Sequence, residues 1–407
     1  IARRQRQMCI RDRNGSEWNM VACGYAHTAA INAVTQELWV WGMNYYGQLG
    51  IGNTTGKSEP VLLASGEKWS HVSCGTNSTA AIRITGELYA WGGNTYGEVG
   101  NGKDNASSGS VLSPVQVVTG GSNWKFVDIS IHAVAIKKDG TLWNWGAGTY
   151  GQLDNDADNN LSSPVEVAPI SGNIWITAAA GGTSTLAIQR SESLPPSPPT
   201  PDPVYGNFLY LWGRNDQGQL GQDNRIDSNI PLEVSGDGNN WGYIEAGNNH
   251  IVAIKTDGTL WNWGDNSYGQ LGNDDGNDQL IPVQTLITDP IWHNASAGDG
   301  FTGGIRQGTI DIPRRISGFM WTWGKNSYGQ IGDDTVVHRS SPVQIGNFTE
   351  WTVLRAGDNH AGSLKDDGTL WMWGNNSYGQ LGDETNDHRS SPVQIGTAKT
   401  WYQLTCG

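Results

Sequence analysis

The chain predicts an all-β fold: a seven-bladed β-propeller whose blades are four-stranded antiparallel sheets. Three observations carry the prediction. First, one phrase returns seven times, reading Leu38-Trp39-Val40-Trp41-Gly42-Met43-Asn44-Tyr45-Tyr46-Gly47-Gln48-Leu49-Gly50 at its first appearance. Its second Trp recurs as Trp41, Trp91, Trp145, Trp212, Trp263, Trp323 and Trp373, at intervals of 50, 54, 67, 51, 60 and 50 residues. Second, all 20 tryptophans fall on three repeat positions. Third, each unit breaks into four short apolar runs separated by turn residues, and one such sheet cannot bury both of its faces alone.

The fifth unit shows the elements in order. Tyr243–Gly247 is a short run ending on glycine. His250–Lys255 and Thr259–Gly264 are apolar runs joined through Asp257-Gly258, a dipeptide that supplies the positive φ of a tight hairpin turn. A polar Gly/Asn/Asp loop follows, and then Ile281-Pro282-Val283-Gln284, where a proline beside β-branched residues suits an edge strand. The tryptophans mark the same frame. Trp18, Trp69, Trp124, Trp175, Trp241, Trp292, Trp351 and Trp401 open units, seven precede the repeated glycine, and Trp39, Trp143, Trp261, Trp321 and Trp371 sit two residues earlier. Tyr89 and Tyr210 fill the two vacant earlier places, so an aromatic is expected there for packing between blades.

The phrase Gly-Thr-Leu-Trp-x-Trp-Gly-x-Asn-x-Tyr-Gly-Gln-Leu-Gly, followed by Ser-Pro-Val-Gln and Trp-x-x-x-x-Ala-Gly-x-x-His, resembles the regulator of chromosome condensation repeat family over residues 18–407. The resemblance implies a seven-bladed propeller used mainly as a binding platform. The family includes a nuclear guanine-nucleotide exchange factor, eukaryotic multidomain regulators and a bacterial protein inhibitor of β-lactamase.

Residues 14–407 read as a single propeller domain with units 18–68, 69–123, 124–174, 175–240, 241–291, 292–350 and 351–400. Residues 1–13, with Met8-Cys9-Ile10-Arg11-Asp12-Arg13, resemble a translated sequencing-library adapter and are expected to lie outside the natural protein. Residues 401–407 repeat the pattern of Trp18–Gly24, so the chain reads as a fragment in which an eighth unit begins. The two segments are expected to compete for one strand position. Two insertions fall between the second and third strands, a Pro-rich one at 192–206 in blade four and one at Gln307–Arg315 in blade six. Both should project from one rim, opposite the Tyr-Gly-Gln-Leu-Gly turns.

Net charge is −14, and −18 once the five Arg and one Asp of residues 1–13 are set aside. Such a surface disfavours nucleic acid, whose binding rests on Lys and Arg contacts to phosphate. No apolar run approaches the length of a membrane span. Cys23, Cys74 and Cys406 share one repeat position, five after the unit-opening Trp, and are expected to be small buried residues without disulfide or zinc spacing.

Catalytic groups are sought among polar residues that break the repeat, and none forms a set. His27, His132, His250 and His360 share one position and His338 and His388 another, as hydrogen-bonded structural groups would. Asp154-Asn155-Asp156-Ala157-Asp158 resembles the start of a calcium loop, but the sixth place lacks glycine and the twelfth is Val165. No metal, cofactor or nucleotide is therefore assigned, and the protein is expected not to be an enzyme. The candidate partner-binding loops carry Asp154, Asp156, Asp158, Asp274, Asp275, Asp333, Asp334, Asp383 and Glu384, with Arg314 and Arg315 on the other rim. Candidate rim aromatics are Tyr46, Tyr96, Tyr150, Tyr268, Tyr328 and Tyr378. The favoured reading is a monomeric, non-enzymatic scaffold presenting these loops to a protein partner in an extracellular, cell-surface or virion setting. The alternatives are an exchange factor for a small GTPase and a propeller that plugs an enzyme's active site with exposed aromatics.

Overall fold

A computed structural model describes residues 18–103, 109–118, 121–154, 158–167, 173–191, 207–234, 240–287, 291–307, 317–377, 381, 383 and 385–396. In blade one, β1 (Trp18–Cys23), β2 (His27–Asn32), β3 (Leu38–Gly42) and β4 (Lys57–Leu62) pair in sequence order, each antiparallel to the next. Among the described residues the same plan repeats through 28 strands, which is seven blades of four. Blades six and seven are further linked by one pairing, Gly318 with Trp351. The predicted fold class therefore stands. Prolines Pro60, Pro114, Pro164, Pro231, Pro282, Pro342 and Pro392 all lie in fourth strands, at the outer edge where a missing N–H costs no ladder bond.

The core lies between blades. Among the described residues seven apolar clusters each join one blade to the next, and the one that closes the ring brings Ala30 and Trp41 of blade one against Leu364, Leu370, Met372, Leu381 and Ile395 of blade seven. The ring therefore closes by side-chain packing between its first and last described blades. The Trp before the repeated glycine is buried, as are Trp69, Trp124, Trp175, Trp241, Trp292 and Trp351 at unit starts, and Trp69 and Trp91 meet edge-on at 6.3 Å.

The earlier aromatic position packs against the inter-blade clusters, as expected, but at their margin. Trp143, Trp261 and Trp371 are only half-buried. Each instead receives a cation on its face: Lys137 Nζ lies 3.8 Å from the Trp143 ring centre, Lys255 Nζ 4.2 Å from Trp261 and Lys365 Nζ 4.7 Å from Trp371. Their indole N–H groups donate to Thr141, Thr259 and Thr369. These rings are the outer ends of the inter-blade stacks, so a cation and a hydroxyl serve there in place of full burial.

Both insertions lie between second and third strands, since strand Ser184–Ser191 precedes one and Asn207–Gly213 follows it, while Phe301–Gln307 and Gly318–Gly324 flank the other. Residues 401–407, and with them the competition for a strand position, lie outside the described residues, as do residues 1–13. Cys74 is buried, as expected.

Candidate functional site: the turn-bearing rim and channel mouth

Each third strand leads into a turn stitched by its own side chains. In blade one Asn44 is the organiser: its Oδ1 accepts the Leu49 N–H at 2.9 Å, and its Nδ2 donates to the carbonyls of Asn53 and Thr55 at 2.8 and 3.2 Å. Asn94, Asn215, Asn266, Asn326 and Asn376 accept the equivalent N–H in their turns. Gln48 Oε1 accepts the Tyr46 N–H at 3.0 Å, while the Gln48 carbonyl accepts the Thr79 hydroxyl at 2.8 Å and the Trp91 indole N–H at 2.9 Å from the next blade. The turn is thus fastened to both blades. Gly50, at φ 70°, passes so close to Trp91 that an added Cβ would stand 2.7 Å from its Nε1.

In the described turns of blades one, two, three, five and six this architecture holds a tyrosine. Tyr46, Tyr96, Tyr150 and Tyr268 are between 39% and 43% exposed, and Tyr328 is half-buried. Two of the rings rest on the next blade: Tyr268 meets His338 edge-on at 5.1 Å and Tyr328 meets His388 at 5.1 Å. Blade four carries Gln217 in the place of the tyrosine. Tyr378 lies outside the described residues.

The histidines are structural. Nε2 of His27, His132 and His250 lies 2.9, 2.8 and 2.8 Å from the hydroxyls of Thr79, Thr185 and Thr302 on the next blade. Those hydroxyls donate onward to the carbonyls of Gln48, Gln152 and Gln270, so each imidazole Nε2 is the donor, and burial keeps the ring neutral near pH 7. Burial pulls the four pKa values of His27, His132, His250 and His360 from 6.5 down to about 4. His338 and His388 accept the backbone N–H of Asn326 and Asn376 on Nδ1.

The acidic candidates divide into two kinds. Asp333 and Asp383, among the candidates for partner contact, have carboxylates that are nearly buried, ion-paired to Arg339 and Arg389 and bonded to Thr335 and Thr385 of their own loops. Asp274 accepts the hydroxyls of Ser340 and Ser341 from blade six, both at 3.0 Å, and so ties two blades while remaining exposed. Asp275 caps its own turn through the Asn277 N–H. Asp158 and Asp334 are exposed, and with Asp154 and Asp274 they take positive φ, which Asp tolerates better than most residues. Asp156, Glu384, Arg314 and Arg315 lie outside the described residues.

The innermost strands line a central channel of about 620 Å³ whose polar wall the sequence did not disclose. Four residues after the unit-opening Trp stand Ser73, Asp128, Glu245, Ser296 and Arg355, where blades one and four have Ala22 and Ala179. Ser73 Oγ donates to Asp128 Oδ1 at 2.8 Å, and Asp128 Oδ2 accepts the Ala180 N–H at 2.9 Å, linking blades two, three and four. Ser296 likewise donates to Glu245 and accepts the Ala356 N–H. At the mouth facing the tyrosines, Asp358 lies in the channel wall, and Asp299 is paired to Lys325 at 2.8 Å. Burial and the Asp299 charge hold the Asp358 carboxyl above the usual carboxylate range, with Lys325 partly offsetting them.

Fold, repeat and rim together define a repeat propeller built from contiguous four-stranded units. The chain belongs to the Regulator of chromosome condensation (RCC1) repeat family, whose repeat matches residues 37–82, 85–133, 139–188, 207–254, 257–305, 317–364 and 367–407. Among curated relatives it is 27% identical to the Ultraviolet-B receptor UVR8 of Arabidopsis thaliana over 82% of this chain and 70% of that protein. It is 24% identical to the E3 ubiquitin-protein ligase HERC2 of Homo sapiens over 58% of this chain but 5% of that protein. Among solved structures it is similar to Prp20p of Saccharomyces cerevisiae, described with its binding properties to Gsp1p and histones (TM-score 0.71, 20% identity, 89% and 86% coverage). It is also similar to human WBSCR16 (TM-score 0.72, 20% identity, 91% and 97% coverage).

Proposed function

We propose that this protein is a non-enzymatic protein-binding scaffold whose turn-bearing rim receives a macromolecular partner. The observation that carries the reading is the row of half-exposed tyrosines, each fixed by side-chain hydrogen bonds to its own turn and the next blade. Tyrosine brings large contact area at small entropic cost, and fixing it beforehand lowers the cost of association. The relatives agree in kind, since one is a receptor and the Prp20p structure is described by what it binds. Ubiquitin ligation belongs to proteins of which this chain matches a small share. Exchange on a small GTPase rests on family membership, and an enzyme-plugging role would use the same tyrosines.

The test is selection of binders from a displayed random-peptide library, followed by truncation of Tyr46, Tyr268 and Tyr328 to Ala. Binders are expected to lose at least about tenfold in affinity on variants that keep the parental unfolding midpoint. Binders insensitive to all three truncations would overturn the rim as the binding face.

A further inference from the structure

Charge is unevenly spread around this rim. In the loops of blades four to seven aspartates outnumber Lys and Arg, and the described cations there are spent on neighbours: Arg214 on Asp216, Arg225 on Asp278, Lys325 on Asp299, Arg339 on Asp333 and Arg389 on Asp383. Asp223, Asp274, Asp334 and Asp387 remain exposed along the same arc. The tyrosines already accept cations of their own chain, with Arg214 5.3 Å from the Tyr150 ring centre and Lys325 5.5 Å from that of Tyr268. Apolar side chains Ile226, Val336 and Val337 stand exposed between the acids.

From this arrangement, and resting on the rim-binding reading above, we infer that the arc over blades four to seven docks an arginine- or lysine-rich polypeptide segment, one of whose basic side chains enters the channel mouth at Asp358. Guanidinium groups suit the site doubly, since they stack on tyrosine faces and pair with carboxylates. Asp358 is the anchoring end. Its carboxylate is held in the channel wall beside the like charge of Asp299, and an incoming cation relieves both burdens. Phosphate-bearing polymers meet repulsion over the same arc.

The test uses fluorescein-labelled twelve-residue peptides of alternating arginine and glycine, with glutamate-glycine and serine-glycine counterparts, in anisotropy titrations at low and physiological salt. The arginine peptide is expected to bind, to weaken with salt, and to lose about tenfold in affinity with Asp358→Asn or with the pair Asp334→Asn and Asp387→Asn. Glu166→Gln and Glu233→Gln on outer strands are expected to leave it unchanged. Equal weakening by those outer-strand variants would show general charge attraction and overturn the proposal. Tighter binding of a counterpart peptide would also overturn it, and sensitivity of that binding to Tyr268→Ala would leave the rim standing as a binding face. Absence of binding by all three peptides would overturn the basic-segment proposal, while the library selection above judges the rim separately.

Discussion

His27 of blade one donates across the blade boundary to the hydroxyl of Thr79, with Nε2 and Oγ1 2.9 Å apart. The hydroxyl in turn donates a hydrogen bond to the Gln48 carbonyl, back in blade one beneath the tyrosine turn. One threonine therefore couples the second strands of two blades to the rim that carries the proposed binding face. Thr79→Val keeps the shape and removes the bridge, leaving a buried imidazole N–H without an acceptor. We expect a loss of roughly 1–3 kcal/mol in chemical denaturation, and a similar loss for Thr185→Val and Thr302→Val.

The same histidines make the ring acid-sensitive. Their folded pKa values of about 4 lie below the ordinary 6.5, so the unfolded chain binds protons first. The stability they contribute is present above about pH 6.5 and is lost as pH falls toward 4. His293, also held at about 4 by burial, adds to the effect. Unfolding midpoints followed from pH 7.5 to 4 should fall ever more steeply below 6.5, with several protons taken up on unfolding. A flat profile through that window would contradict the neutral buried imidazoles.

Blade two breaks the turn motif with Glu98 where other described turns have glutamine. Glu98 Oε2 still accepts the Tyr96 N–H, at 2.8 Å, but burial holds the carboxyl above its usual range. The fold is therefore best served by the protonated acid and loses that contribution as pH rises through the raised value. Glu98→Gln should raise stability at pH 7 by roughly 1 kcal/mol, a gain that shrinks as the medium is acidified. Thermal melts of the two proteins at pH 7 and pH 4.5 read the difference directly.

Two glycines of one loop should behave oppositely. Gly272 has φ 65°, and an added Cβ would stand 2.7 Å from Trp323 Nε1, the indole that donates to the Gln270 carbonyl. Gly276 faces open space. Gly272→Ala should cost roughly 2–4 kcal/mol, whereas Gly276→Ala should stay within about 0.5 kcal/mol.

Much of this was legible in residues 18–396. The hairpin turns, the edge prolines and the Trp frame each report local geometry, so seven units of four strands followed from spacing alone. The polar channel wall did not follow. Ser73 and Asp128 are 55 residues apart and meet only because the ring brings consecutive innermost strands together. The pairing of Asp333 and Asp383 did not follow for a related reason: the loop curls back so that the first residue of the next strand, Arg339 or Arg389, reaches them. The half-exposure of Trp143 and Trp261 was hidden as well, since composition does not reveal which indole lies at the end of a stack.

The most direct test of the binding face is photo-crosslinking of library-selected peptides to proteins carrying a photoreactive phenylalanine at Tyr268, at Ile281 on an outer strand, or at Ile84 on the opposite rim. Adducts are expected at position 268, abolished by excess unlabelled peptide, and none at 281 or 84. Competable adducts at 281 or 84 with none at 268 would contradict a binding face on the tyrosine rim.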